Sequence, residues 1–114
     1  MRGICLWLLL VAAAPAMASE QAAGSEPEFT IRIRDHRFHP AELKVPAGVA
    51  FRIVVENDDE VADEFDSYVL HREKHVQPKS KATLFLGPLE PGRYPFKGEE
   101  HNGSEVASGT LIAQ

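Results

Sequence analysis

Apolar and polar residues alternate along most of this chain. In FTIRIR, residues 29–34, Phe29, Ile31 and Ile33 fall on one face, and Thr30, Arg32 and Arg34 on the other. A period of two marks a strand with one buried side. VAFRIVVEN repeats the pattern, with Val49, Phe51, Ile53 and Val55 in step. Leu43 and Val45 precede a Pro46–Gly48 turn, and KATLFL runs to a break at Gly87–Pro88. A Pro91–Gly92 turn opens a strand presenting Tyr94 and Phe96, and GTLIA supplies the last strand. No stretch sustains a helical period; a short helix or turn is read between Val61 and Val69. Short strands punctuated by Pro and Gly predict an all-β fold, a single Greek-key β-sandwich.

The N-terminus follows other rules. MRGICLWLLLVAAAPAMASE has one basic residue, Arg2, then an apolar run, then Ala16-Met17-Ala18. The run is about ten residues, short of the ~20 that span a bilayer, and reads as the apolar region of a secretory signal peptide. Residues 1–18 are thus expected to be cleaved and the chain exported, without a membrane span. Residues 19–27 read as a flexible leader and 28–114 as one domain. The single cysteine, Cys5, and both methionines, Met1 and Met17, depart with the signal. The remaining chain has no disulfide to form.

Charge narrows the partners. Seventeen acidic residues stand against twelve basic ones, a formal charge of −5, one unit more negative without Arg2. Such a surface repels phosphate backbones, so nucleic acid is excluded as a partner and a cationic ligand is favoured. No nucleophile elbow or phosphate loop appears, so hydrolase and nucleotide-binding readings lack support.

Three segments carry a family resemblance: DHRFHPAELKVPAG, EFDSYVLHREK and GPLEPGRYPFKGEEH. Together they resemble cupredoxins, and specifically the EfeO-type cupredoxin-like domains. The resemblance implies a cupredoxin-type sandwich and a periplasmic protein of bacterial iron uptake. Its implied partners are a periplasmic iron-binding protein and an inner-membrane iron permease. Its implied role is to bind a metal ion and assist iron oxidation or delivery.

Aligned on that pattern, Gly98 stands in the slot of the cupredoxin cysteine ligand, and Val106 roughly in that of the methionine. Blue-copper chemistry needs a thiolate beside two imidazoles. No residue of the exported chain supplies one, so a blue-copper centre is excluded. His101 matches the C-terminal histidine ligand, with Glu99 two residues before it. Glu64 falls where the first histidine of a cupredoxin usually sits. Asp66 and Glu73 match further acidic positions of the family, while Lys97 and Glu100 replace an aromatic pair. The expected metal ligands are therefore Glu64, Glu99 and His101, joined by Glu73 and Asp66. Carboxylates with an imidazole suit iron or copper(II). If extended, the 64–66 segment puts Glu64 and Asp66 on one face, and Glu99 and His101 pair likewise.

Other residues read more simply. His71 and His75 are four apart in HREKH, but Arg72 stands where a zinc-protease motif has glutamate, so both are read as solvated. His36 follows the family pattern. His39 replaces an acid often found there, leaving room for an accessory ion at the surface. Phe38, Phe96 and Tyr94 read as core; Tyr68 and Tyr94 are also electron-transfer candidates, with burial the default for both. Three functions remain: a metal-binding accessory protein, a ferroxidase acting with a partner, and a metal-free docking module.

Overall fold

The computed structural model describes Gly3 and residues 26–114. The signal-peptide reading lies outside these apart from Gly3, and the leader apart from Glu26 and Pro27. Nine strands follow in order: β1 Glu28–Arg34, β2 Arg37–His39, β3 Glu42–Val45, β4 Phe51–Asn57, β5 Asp63–Ser67, β6 Arg72–Val76, β7 Lys81–Leu86, β8 Gly92–Lys97 and β9 Ser108–Ala113. They form a four-stranded sheet, β2-β1-β4-β7, and a five-stranded sheet, β3-β9-β8-β5-β6. Both are mixed, with β1 parallel to β4 and β3 parallel to β9. Among the described residues no helix is long and apolar enough to cross a membrane.

The alternation read from sequence is the packing pattern. Ile31, Ile33, Phe51, Ile53, Val55, Leu84 and Leu86 of the first sheet meet Val45, Phe65, Phe96, Leu111 and Ala113 of the second. Each large apolar side chain removed from water contributes about 1.5–3 kcal/mol, which holds the two sheets face to face. Phe96 is the centre of the aromatic core. It stacks on Phe65 with centroids 4.6 Å apart and meets Phe38 edge to face at 4.9 Å. Gly109 of β9 makes room for it: a Cβ there would drive into the Phe96 ring and lie 2.8 Å from the Ala41 carbonyl.

Three expectations are corrected. The 61–69 segment, read as a short helix or turn, is strand through Asp63–Ser67 and turns only from Tyr68 on. Val49 is 43 % exposed, because β4 starts at Phe51 and Val49 belongs to the preceding turn. Tyr68 is 87 % exposed, in the turn after β5, so the default of burial fails for it.

Candidate metal centre

The β1–β2 hairpin turns on two residues, Asp35 and His36, between the paired Arg34 and Arg37. Both have positive φ, 52° and 57°, the conformation of a tight hairpin turn that twists with its strands. Neither is glycine, so something must hold them there. That something is Asp59, whose carboxylate accepts both turn N–H groups at 2.9 Å. Asp59 is placed in turn by buried Asn57. The Asp59 N–H donates to Asn57 Oδ1, while Asn57 Nδ2 donates to the Val61 and Val76 carbonyls. This chain of polar contacts delivers the His36 ring to one end of the sandwich.

At the same end, the segment after β8 brings His101. The Gly98 N–H bonds the Ala107 carbonyl at 2.8 Å, and the Ser104 N–H bonds the His101 carbonyl at 2.8 Å. Asn102 and Gly103 between them both have positive φ. The His101 ring lies against His36, with centroids 4.9 Å apart.

Asp63 completes the group from β5. Phe65 points into the core, so by the two-residue repeat Asp63 and Ser67 point inward with it, and all three are buried. Asp63 Oδ1 accepts two backbone N–H bonds, from Glu64 at 2.8 Å and Glu99 at 2.9 Å. Those bonds offset part of the cost of burying a carboxylate. They leave Oδ2 facing His101 Nε2 at 3.5 Å. That Nε2 is buried and has no hydrogen-bond partner.

Ligand atoms of His36, Asp63 and His101 all lie within 4.8 Å of one another. Two imidazoles and a carboxylate form a donor set for a divalent or trivalent transition ion, and three protein ligands leave coordination positions open. An unpaired buried imidazole nitrogen is costly unless something binds it. The arrangement therefore fits a metal ion, and it does not fit blue copper, because it contains no thiolate. A groove of about 580 Å³ runs between β2 and residues 104–108, with His36 in its wall and Phe38 and Ala107 among its lining.

The acidic residues expected to join His101 are distributed differently. Glu64 and Asp66 do share a face, and it is the outer face of the five-stranded sheet, both half-buried. Across from them on β6 stand His75 and Glu73 in register. His75 Nδ1 lies 3.6 Å from Glu64 and its Nε2 3.3 Å from Glu73, making a second cluster of possible ligands. Burial raises the Glu64 carboxyl above its ordinary range; the neighbouring charge and hydrogen bond of Glu73 push it further, and Glu99 adds to this, while His75 opposes. Glu99 thus gives its backbone to Asp63 and its charge to the outer cluster. Asp66 pairs in register with Lys97 of β8 and with Glu73 of β6. Asp63 was not singled out by sequence reasoning and His36 was noted only as a family match. The alternation about Phe65 carried the signal for Asp63.

The chain matches the model of the cupredoxin-like domain over residues 5–113. It is 39 % identical over 85 residues to an uncharacterized protein of Rickettsia prowazekii (strain Madrid E), covering 75 % of this chain and 66 % of that protein. It therefore spans just under two thirds of that relative's length. Among solved structures it is similar to auracyanin A, a "blue" copper protein of Chloroflexus aurantiacus. The TM-score is 0.62 and the identity 12 %, over 76 % of this chain and 98 % of that one. It is also similar to the metal-binding domain of the Cu(I)-exporting P-type ATPase CopA of Streptococcus pneumoniae D39. There the TM-score is 0.59 and the identity 16 %, over 76 % and 84 % of the two chains. At these identities the two structures establish the shared fold.

Proposed function

The chain belongs to the cupredoxin-like family, and from that premise we propose that it is a metal-binding accessory protein that holds an ion between His36, Asp63 and His101. The observation that carries this reading is the buried, unpartnered His101 Nε2 facing the anchored Asp63 carboxylate. Asp63 supplies an anchored carboxylate oxygen, and the two imidazoles supply nitrogen donors. The ion is iron or copper(II), the choice that an oxygen-and-imidazole set favours over soft copper(I).

In this reading the ion is cargo. A groove with His36 in its wall lies beside the site, and the open coordination positions allow ligand exchange. The family resemblance supplies the setting: a periplasmic protein that passes iron towards an inner-membrane permease together with an iron-binding partner. Any oxidation of Fe(II) then belongs to the assembly with that partner.

The test is a titration of the purified protein with Fe(II) under argon, Fe(III) and Cu(II), read by calorimetry and electron paramagnetic resonance. One ion per chain is expected, lost in His36→Ala/His101→Ala and kept in Glu64→Gln/Glu73→Gln. The reverse pattern would move the site to the outer face. Uptake no greater than that of an unrelated acidic protein would leave a metal-free docking module.

A further inference from the structure

We propose that Asn102 is a modification site, at which attack by the Gly103 nitrogen converts the side-chain amide into an aspartyl or isoaspartyl residue beside His101. The chain has two asparagines, Asn57 and Asn102, and the fold treats them oppositely. Asn57 is 2 % exposed and fully engaged. Its Nδ2 donates to the Val61, Val76 and Gln77 carbonyls, and its Oδ1 accepts the Asp59 N–H. Asn102 is exposed, and so is Gly103 after it. Among the described residues, neither the Asn102 side chain nor the Gly103 N–H has a hydrogen-bond partner. A Cβ added at Gly103 would meet nothing within 4 Å, so the turn stands clear of the protein on that side. Glycine itself carries no side chain to hinder attack by its nitrogen.

The two residues form the tip of a left-handed turn. Asn102 has φ 43° and Gly103 φ 78°, and the Ser104 N–H closes on the His101 carbonyl at 2.8 Å. Asn-Gly is the sequence such a turn favours. In the reaction the Gly103 nitrogen bonds to Asn102 Cγ, the Cγ–Nδ2 bond breaks, and the Gly103 N–H proton leaves with Nδ2 as ammonia. Water then opens the cyclic imide. Opening at Cγ gives aspartate, and opening at the main-chain carbonyl gives isoaspartate, with the chain rerouted through the side chain. The sum is amide plus water to carboxylate plus ammonia, with no oxidant. Either product adds a negative charge next to His101. Isoaspartate also adds a methylene to the backbone of a turn built on two left-handed residues. The ring closes only when the backbone leaves the hydrogen-bonded turn, so the reaction runs through local opening. The modification needs no ion; the ion's influence on it rests on the reading above. An ion fastened to His101 holds the first residue of the turn and slows its opening.

The test holds the purified protein for days under argon at neutral pH and physiological temperature, with and without Cu(II), and then digests it with trypsin. Cleavage after Lys97 isolates residues 98–114, with Asn102 as their one asparagine, and cleavage after Arg52 and Arg72 isolates Asn57. The 98–114 peptide is expected to gain about one dalton and to take the label of an isoaspartyl methyltransferase, while the Asn57 peptide does neither. Asn102→Gly keeps a residue suited to the left-handed turn and should remove both signals. The isoaspartyl protein is expected to bind Cu(II) about tenfold more weakly, the usual order for a displaced ligand. Bound Cu(II) should slow the conversion about tenfold or more. A 98–114 peptide that converts no faster than the Asn57 peptide overturns the assignment of Asn102. Equal rates with and without Cu(II), in protein that calorimetry shows to be loaded, overturn the link to His101 and leave the modification standing. Absence of saturable Cu(II) binding overturns the metal reading alone, since conversion at Asn102 is read without the ion.

Discussion

The Asp63 carboxylate faces the buried Nε2 of His101 at 3.5 Å, from a strand that joins the chain 38 positions earlier. Neither group has another way to satisfy that side of itself: Asp63 Oδ1 is taken up by two N–H groups, and Nε2 has no partner. Asp63→Ala should therefore act on both fold and site. It strands the Glu64 and Glu99 N–H groups, a cost of about 1–3 kcal/mol each if they stay buried. Thermal unfolding should fall accordingly, and metal binding should be lost. Asp63→Asn keeps an acceptor for those N–H groups, and is expected to retain most of the stability while still weakening the ion.

Asp59 should behave as a positioning residue. It never touches the ion in this reading, yet it holds Asp35 and His36 in their left-handed turn. Asp59→Ala is expected to lower metal affinity about 10- to 100-fold, as the loss of an outer partner of a ligand does. Replacing His36 by alanine in the Asp59→Ala background should then cost less affinity than it does in wild type. Equal costs in both backgrounds would show that Asp59 acts elsewhere.

Glu64 gives a pH dependence of stability in the metal-free protein. Its folded carboxyl is raised above 4.5, first by burial and then by Glu73. Between the unfolded and folded values the native state holds the extra proton, so stability falls as pH rises through that window and is level above it. Glu64→Gln removes the titration. Urea melts should show the variant gaining on wild type as pH climbs from about 4.5 towards neutrality. A gap that stays constant across that range would rule out Glu64 as the source of the dependence.

Gly109 is a steric prediction independent of any metal. Gly109→Ala drives a Cβ into Phe96 and towards the Ala41 carbonyl. Overpacking of this kind costs about 1–3 kcal/mol, and a drop in thermal midpoint measures it. Because Phe96 stacks on Phe65 and meets Phe38 edge to face, the same variant should also disturb β5, which carries Asp63, and weaken ion binding.

Much of the fold was legible because burial in a sandwich has the period of the strand. FTIRIR and FRIVVEN display it in apolar residues, and Pro and Gly mark the turns between strands. The 63–67 strand was illegible for the opposite reason. Its inward face is Asp63, Phe65, Ser67, so only one of three buried positions is apolar. The β2 strand is three residues long and leaves no period to read. The shortage of thiols was equally plain, since Cys5 is the only cysteine and lies in the apolar N-terminal run, far in sequence from His36, Asp63 and His101.

Which acids meet which histidines was a tertiary decision. Asp63 and Glu64 are neighbours in sequence, and the pleat sends one to the inner centre and the other to the outer cluster. The sequence alone determined the donor types available and most of the strands that carry them. Only the packing of the β1–β2 hairpin against the segment after β8 could bring His36 to His101 and set Asp63 beside them. Contacts between distant segments depend on how sheets close over a shared core, and alternation within one strand does not encode that closure.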